Sequence, residues 1–139
     1  MTLAYLALGS NLGDRAAQLE LAIRLLEESG ARIVRRSTVI ETEPFGVTDQ
    51  PPFLNQVLEV EWDGSARELL AAAKAAERAA GRRPTYRWGP REIDIDVLLF
   101  GDERIDEPDF KVPHPGLWER DFVLRPLGEL RPDILESKP

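Results

Sequence analysis

The chain has 139 residues, 42% hydrophobic and 31% charged, the proportions of one soluble domain that can bury a core without help from metal or disulfide. It has no cysteine, which excludes a disulfide scaffold, a thiolate zinc site and a cysteine nucleophile. Its 18 basic residues against 25 acidic ones leave a net charge of −7, which argues against a nucleic-acid partner or an anionic membrane surface.

No apolar run approaches the ~20 residues of a membrane helix. Met1–Leu6 lacks a basic leader and soon meets the polar Ser10-Asn11, so a cytoplasmic protein is expected. No repeat, low-complexity tract or Ser/Gly-rich linker divides the chain, and residues 1–139 read as a single domain, expected to be a monomer. Leu3 to Gly9 is a short apolar run closed by glycine and predicts a buried strand. Asp14 can cap a helix over 15–28, with Leu19, Ala22, Ile23 and Leu26 on one face and Gly30 as its stop. Residues 32–41, rich in β-branched types, predict one strand, and Leu54 to Trp62 another. Ser65 and Glu68 have the spacing of a capping box that opens a helix to about Ala80. Ile93 to Phe100 alternates and ends at the turn signal Gly101-Asp102. The order strand–helix–strand–strand–helix–strand is the split βαβ plan of a ferredoxin-like α/β (α+β) sandwich. It implies an antiparallel sheet with helices on one face and an open face for a ligand.

Residues 43–53 and 81–91 exceed the usual connection of about 4–6 residues and are rich in Gly and Pro. Long loops on a small domain are more often functional than idle, which makes both first candidates for a site. Beside the second lies the sharpest feature of the chain, Asp94 and Asp96. In a strand these carboxylates share a face, with Cα atoms about 6.5–7 Å apart, while Ile93, Ile95, Val97 and Leu99 take the opposite, core side. Like charges so placed repel, and a divalent cation with a preference for oxygen ligands, magnesium or manganese, offsets that repulsion. The same spacing also suits two solvated carboxylates, or one paired with Arg91.

Arg78, Arg82, Arg83, Arg87 and Arg91 precede this pair in an acidic protein. Arginine binds phosphate oxygens bidentately, so a cationic loop beside a carboxylate pair forms the two halves of a metal–polyphosphate site. A basic helix end answering the macrodipole explains Arg78 and Arg82, but not the arginines beyond the helix. Glu77 shares a helix face with Leu70 and Ala73, which suits a hydrogen-bonding role near the arginine loop or the edge of an apolar stripe. Asn55 shares a strand face with Phe53 and Val57 and can meet the edge of a polar ring or close the preceding turn. His114, the only histidine, has its backbone fixed between Pro113 and Pro115, which suits a positioned ligand contact, whereas a lone histidine is more often structural. Trp88, Phe53 and Phe122 fall outside the clear core pattern and can stack on a flat heterocycle, although each taken singly reads first as packing. Gly9-Ser10-Asn11-Leu12-Gly13 is neither a P-loop nor a dinucleotide fingerprint, and no hydrolase or zinc-protease motif is present.

Several of these segments together resemble one known family. They are Gly9-Ser10-Asn11-Leu12, Thr42-x-Pro44 with Gly46, Gln50-Pro51 through Phe53-Leu54-Asn55, Arg87-Trp88-Gly89-Pro90-Arg91 running on to Asp94-Ile95-Asp96, and Val112-Pro113-His114. The family is the 6-hydroxymethyl-7,8-dihydropterin pyrophosphokinases of folate biosynthesis, and the match runs in order from Thr2 to Asp133. The resemblance implies transfer of the β,γ-pyrophosphate of ATP to the hydroxymethyl oxygen of the pterin, with AMP released. It implies two magnesium ions held between Asp94, Asp96 and the triphosphate, with Arg82 and Arg91 as catalytic contacts to the phosphates. Leu70, Glu77, Val97, Lys111, His114 and Arg120 would surround the nucleotide. Thr42, Pro44, Phe45, Gly46 and Asn55 would line the pterin pocket, the ring lying between Phe53 and Phe122 and Trp88 closing over it.

The bottom-up chemistry agrees, because an alcohol attacking phosphorus needs alignment and charge neutralisation more than a protein nucleophile. Asp96 is the carboxylate placed to assist loss of the hydroxyl proton. The chain departs from the family pattern at Pro84, where many relatives carry a second loop arginine, at Phe53, a frequent tyrosine, and at Pro115, a tyrosine in some. Two other readings compete: a ferredoxin-like module that binds a nucleotide without turnover, and a two-metal phosphoesterase that needs no pterin.

Overall fold

A computed structural model describes residues 1–11, 14–42, 52–81 and 93–136 of the chain. The apolar run after Met1 forms β1 (Thr2–Ser10), which has an antiparallel partner on each side and so pairs its backbone along both edges. Asp14 caps α1 (Arg15–Glu28) by accepting from the Ala17 amide at 3.1 Å, and Gly30, at φ +108°, turns the chain out of the helix. The expected stripe of Leu19, Ala22, Ile23 and Leu26 is buried.

The single strand expected over 32–41 is two, β2 (Arg32–Arg36) and β3 (Ile40–Thr42), both antiparallel to β4 (Phe53–Trp62). Ser37 bridges the interruption. Its amide donates to the Val57 carbonyl at 2.9 Å, its hydroxyl accepts from the Val57 amide at 2.8 Å, and its carbonyl accepts from the Gln56 side chain at 3.0 Å. A serine hydroxyl that substitutes for a ladder carbonyl ends regular pairing without exposing the edge, and a β-branched composition does not reveal it.

The predicted capping box opens α2 (Ala66–Ala79). The Glu68 amide donates to the Ser65 hydroxyl at 3.1 Å, and the Ser65 amide to the Glu68 carboxylate at 2.8 Å. β5 (Asp94–Phe100) completes the sheet, whose order β2–β4–β1–β5, antiparallel throughout, is the ferredoxin-like plan. α1 and α2 cover one face, over Leu6, Leu8, Leu58, Val60 and Ile95.

Among the described residues, the opposite face is left uncovered only at one end. The sequence pattern after Phe100 assigned no elements, yet the chain forms a hairpin of β6 (Ile105–Glu107) and β7 (Phe110–Val112), then α3 (Asp121–Leu130) and α4 (Asp133–Glu136). Pro126 lies inside α3, where it reads as a helix breaker in isolation; packing of Val123, Leu127 and Leu130 holds the helix regardless. These residues cover Tyr5, Val57, Leu98 and Leu99.

Leu99 therefore corrects the expected alternation. The register steps from Leu6↔Val97 to Tyr5↔Leu99, so Leu98 is an extra residue in a β-bulge. Beyond it the faces exchange: Leu98 and Leu99 both meet the α3 layer, and Phe100 enters the α1/α2 core.

A buried polar network fastens α3. The Tyr5 hydroxyl donates to Glu59, and Arg35 donates to the same carboxylate from Nε at 3.0 Å and Nη2 at 3.1 Å. Arg35 Nη2 also donates to the Leu130 carbonyl at 2.7 Å and so satisfies the last carbonyl of α3. The Arg131 guanidinium lies 5.4 Å from the Tyr5 ring centre.

Candidate functional site

The end of the sheet that the described residues leave uncovered carries Asp94 and Asp96 on β5. In the register Asp94 lies opposite Gly9 of β1, which lies opposite Asn55 of β4, and Asp96 lies opposite Ala7. One row thus crosses the sheet from Asp94 to Asn55 with glycine between them. A Cβ on Gly9 would lie 3.1 Å from the Asn55 amide oxygen and 3.5 Å from the Phe53 ring, so the missing side chain is what lets these groups approach the floor. Asn55 Nδ2 donates to the Thr42 hydroxyl at 2.6 Å, joining β3 to β4 at the rim. Phe53 is half-buried at the start of β4, opposite Thr42.

The acidic pair has its own support. β5 is an edge strand, and the Ile95 amide, between the two aspartates, donates to the buried carboxylate of Glu77 on α2 at 2.7 Å. Lys74 Nζ lies 3.7 Å from the other Glu77 oxygen. An edge amide satisfied by a side chain is fixed and closed to a further strand. The spacing reading of Glu77 on the face of Leu70 and Ala73 thus corresponds to a buried hydrogen-bonding role.

Burial first, then the charge of Asp94, pushes the Asp96 carboxyl up to about 7, while Lys74 and Arg120 pull it down. The side chain still keeps 36% of its surface exposed, so a ligand can reach it. His114 Nε2 lies 4.0 Å from Asp96 Oδ1. The Gly116 amide donates to His114 Nδ1 at 3.0 Å, which leaves the proton of a neutral ring on Nε2, towards the acid. Burial and then Arg120 hold this imidazole below its ordinary range, against the pull of Asp94. Arg120 is the N-cap residue of α3, and its guanidinium packs where a Cβ on Gly116 would fall 2.7 Å from Nε. Phe122, half-buried in the first turn of α3, packs beside the cluster under that helix.

A cleft of about 310 Å³ opens beside Asp96. Leu70 and Lys74 of α2, Val97 of β5, and His114 line it, and the β6–β7 hairpin adds Asp109, Phe110 and Lys111. Leu70, Val97, Lys111 and His114, scattered in sequence, are thus brought together. Sequence reasoning missed Lys74, Asp109, Phe110 and the contribution of Pro115. The available signal was Lys74 four residues after Leu70 on one helix face; a hairpin of three-residue strands gave none. Pro44, Phe45, Gly46, Arg82, Trp88 and Arg91 lie outside the described residues, as do Pro84 and most of both long loops.

Among the described residues no group of three or more His, Asp or Glu side chains is assembled for a metal. The donors at hand are two carboxylates on one strand face. Magnesium is commonly held by one or two carboxylates with water and substrate phosphates completing its shell, so the pair fits that ion better than a metal that demands a full protein cage. Among the described residues no helix is long and apolar enough to cross a membrane.

Comparison with known proteins identifies the family and the fold. A pyrophosphokinase of Aquifex aeolicus, named for 2-amino-4-hydroxy-6-hydroxymethyldihydropteridine, is 45% identical over 135 residues, 97% of this chain and 84% of that one. Its namesake in Bacillus subtilis is 44% identical over 129 residues, 92% of this chain and 77% of that one. Among solved structures, an HPPK-DHPS in complex with substrates superposes with a TM-score of 0.71 at 14% identity, covering 95% of this chain and 40% of that one, a likeness of fold. Residues 5–132 match the sequence profile of the 7,8-dihydro-6-hydroxymethylpterin-pyrophosphokinase (HPPK) family, and the chain belongs to that family.

Proposed function

We infer that the protein transfers the β,γ-pyrophosphoryl group of ATP to the hydroxymethyl oxygen of 6-hydroxymethyl-7,8-dihydropterin, releasing AMP, in folate synthesis. Family membership supports the reaction. The observation that carries the site is Asp94 and Asp96 on one face of β5, with Asp96 lining the cleft alongside Leu70, Val97, Lys111 and His114.

In this reading Asp94 and Asp96 would hold two magnesium ions together with the triphosphate, and the bound metal would supply neutralisation of phosphate charge. Glu77 fixes the strand between the two acids through the Ile95 amide. His114, neutral with its Nε2 proton near Asp96, donates towards ligand oxygens, and Arg120 adds positive charge at the same rim. Arg82 and Arg91 contact the phosphates, and Lys111 borders the nucleotide with Leu70 and Val97. On the other side of Gly9, Asn55 and Thr42 present amide and hydroxyl groups to the polar edge of the pterin. Pro44, Phe45 and Gly46 complete that wall, Phe53 and Phe122 flank the ring, and Trp88 closes over it. Asp96 is the carboxylate placed to assist loss of the hydroxyl proton as the oxygen attacks the β-phosphorus. The enzyme acts as a cytoplasmic monomer.

The deciding measurement is the nucleotide product. With ATP, magnesium and the reduced pterin alcohol all present, AMP is expected in equal amount to pterin diphosphate, and omission of any one stops it. ADP as the sole product would overturn the reading, and pyrophosphate released to water without pterin would favour a phosphoesterase.

Gly9 supplies a second check. Gly9→Ala places a methyl 3.1 Å from the Asn55 amide oxygen in a φ region open to alanine. It is expected to raise the KM for pterin about tenfold, with the KM for ATP changed by less than about twofold. Equal effects on both substrates would separate Asn55 from the pterin.

A further inference from the structure

Arg67 lies in the first turn of α2, where a positive charge opposes the helix macrodipole, so the helix itself gives no reason for arginine there. Its side chain reaches the hairpin instead. Nη1 and Nη2 each donate to Asp109 at 2.8 Å, a bidentate fork, and Nη2 also donates to Glu107. The guanidinium carbon lies 5.3 Å from the centre of the Phe110 ring. One cation thus holds the last residue of β6, the turn, and the first residue of β7.

The hairpin has two kinds of hold. It forms its own two-stranded sheet; Phe110 and Val112 are buried in the α1/α2-side core with Ile105 packed against it, and the exposed Glu107 and Asp109 are held by Arg67. Lys111 pairs with Asp106 directly across it at 2.5 Å, which stiffens the hairpin without tying it to the rest of the fold. Yet Asp109, Phe110 and Lys111 form one wall of the cleft, and Leu70, on α2 three residues after Arg67, forms the facing wall.

We propose that Arg67 is a positioning residue that clasps the β6–β7 hairpin to α2 and thereby sets the width of the nucleotide cleft. This rests on the reading that the cleft holds ATP. The clasp touches no reacting atom, so its effect falls on nucleotide capture and not on the chemical step. Arginine is required because its planar fork meets Asp109 with two bonds while its face covers Phe110; lysine does neither.

The test is steady-state AMP formation by the full chain, with ATP and pterin varied in turn. Arg67→Ala is expected to raise the KM for ATP about 3- to 10-fold, with kcat and the KM for pterin within about twofold. Its melting midpoint should move by less than about 4 °C, because exposed ion pairs contribute little to stability. Arg67→Lys should stay close to Arg67→Ala, and adding Asp109→Ala to Arg67→Ala should cause no further rise. An unchanged KM for ATP, or a loss shared by kcat and both KM values, overturns the clasp. Leu70→Trp, which narrows the cleft from the facing wall, separates the two failures. If it also leaves the KM for ATP unchanged, the cleft is not the nucleotide site; if it raises that KM while Arg67→Ala does not, only the clasp is wrong.

Discussion

Asp96→Asn is expected to reduce pyrophosphoryl transfer by about 10³-fold or more while raising the melting midpoint of the ligand-free protein at pH 8. The first effect follows from loss of a charged metal ligand, whose ion contributes several kcal/mol of charge stabilisation in phosphoryl transfer. The second follows from the electrostatics of the empty site. Burial and Asp94 raise the carboxyl to about 7, above its unfolded value of 3.8, so between these values the folded protein binds more protons than the unfolded chain. Stability contributed by protonated Asp96 is therefore complete below the lower value and lost as pH rises through about 7. Asparagine removes that loss. The same proton competes with magnesium, so binding of a non-hydrolysable Mg·ATP mimic should weaken about tenfold per pH unit below 7 and level off above it. Calorimetry across pH 5.5–8.5, paired with melting curves of the ligand-free variant, measures both. A variant that melts lower at pH 8, or binds the mimic as well as the parent, would mean that these acids are structural.

Glu59→Ala is expected to cost about 2 kcal/mol and lower the melting midpoint by about 7 °C, because the buried Tyr5 hydroxyl loses its acceptor while Arg35, half exposed, stays hydrated. The carboxylate is buried and accepts from Tyr5 and from both Nε and Nη2 of Arg35. Its removal leaves the Tyr5 hydroxyl without this acceptor and frees Arg35 from the orientation that satisfies the last carbonyl of α3. Arg35 first, then Tyr5, holds Glu59 below its ordinary pKa. Its stabilising contribution is present above the unfolded value of 4.5 and lost as pH falls through the lower folded one. The gap between parent and variant should therefore close in acid. Tyr5→Phe keeps Arg35 in place and should cost only about 1 kcal/mol. A shift under about 2 °C for Glu59→Ala would show that desolvation of the carboxylate cancels its bonds. Because α3 begins beside Arg120 and carries Phe122, a loosened helix should also weaken binding at the site.

Both effects depend on the face of the sheet that sequence pattern read least well. On the α1/α2 side, periodicity and capping signals were sufficient: Leu19, Ala22, Ile23 and Leu26 are buried, Asp14 caps α1, and Ser65 and Glu68 form their box. On the other side α3 contains Pro126, and in the hairpin, whose Phe110 and Val112 join the α1/α2-side core, the strands are too short to alternate, so local signals were weak where packing decides the outcome. Leu99 shows the same limit at one residue. Alternation assigned it to the α1/α2 layer, but the bulge at Leu98 transferred it to the α3 layer.

The sequence by itself determined the family, the order of strands and helices as far as β5 apart from the break between β2 and β3, and the two aspartates on one strand face, because motif spacing and side-chain alternation are local properties of the chain. Only the tertiary structure decided that Gly9 separates Asp94 from Asn55, that Glu77 fixes the strand between the acids, and that Arg67 reaches across to the hairpin. Those arrangements join residues far apart in sequence. Their energies come from register, desolvation and bidentate geometry, which exist only once the sheet has paired and the helices have packed.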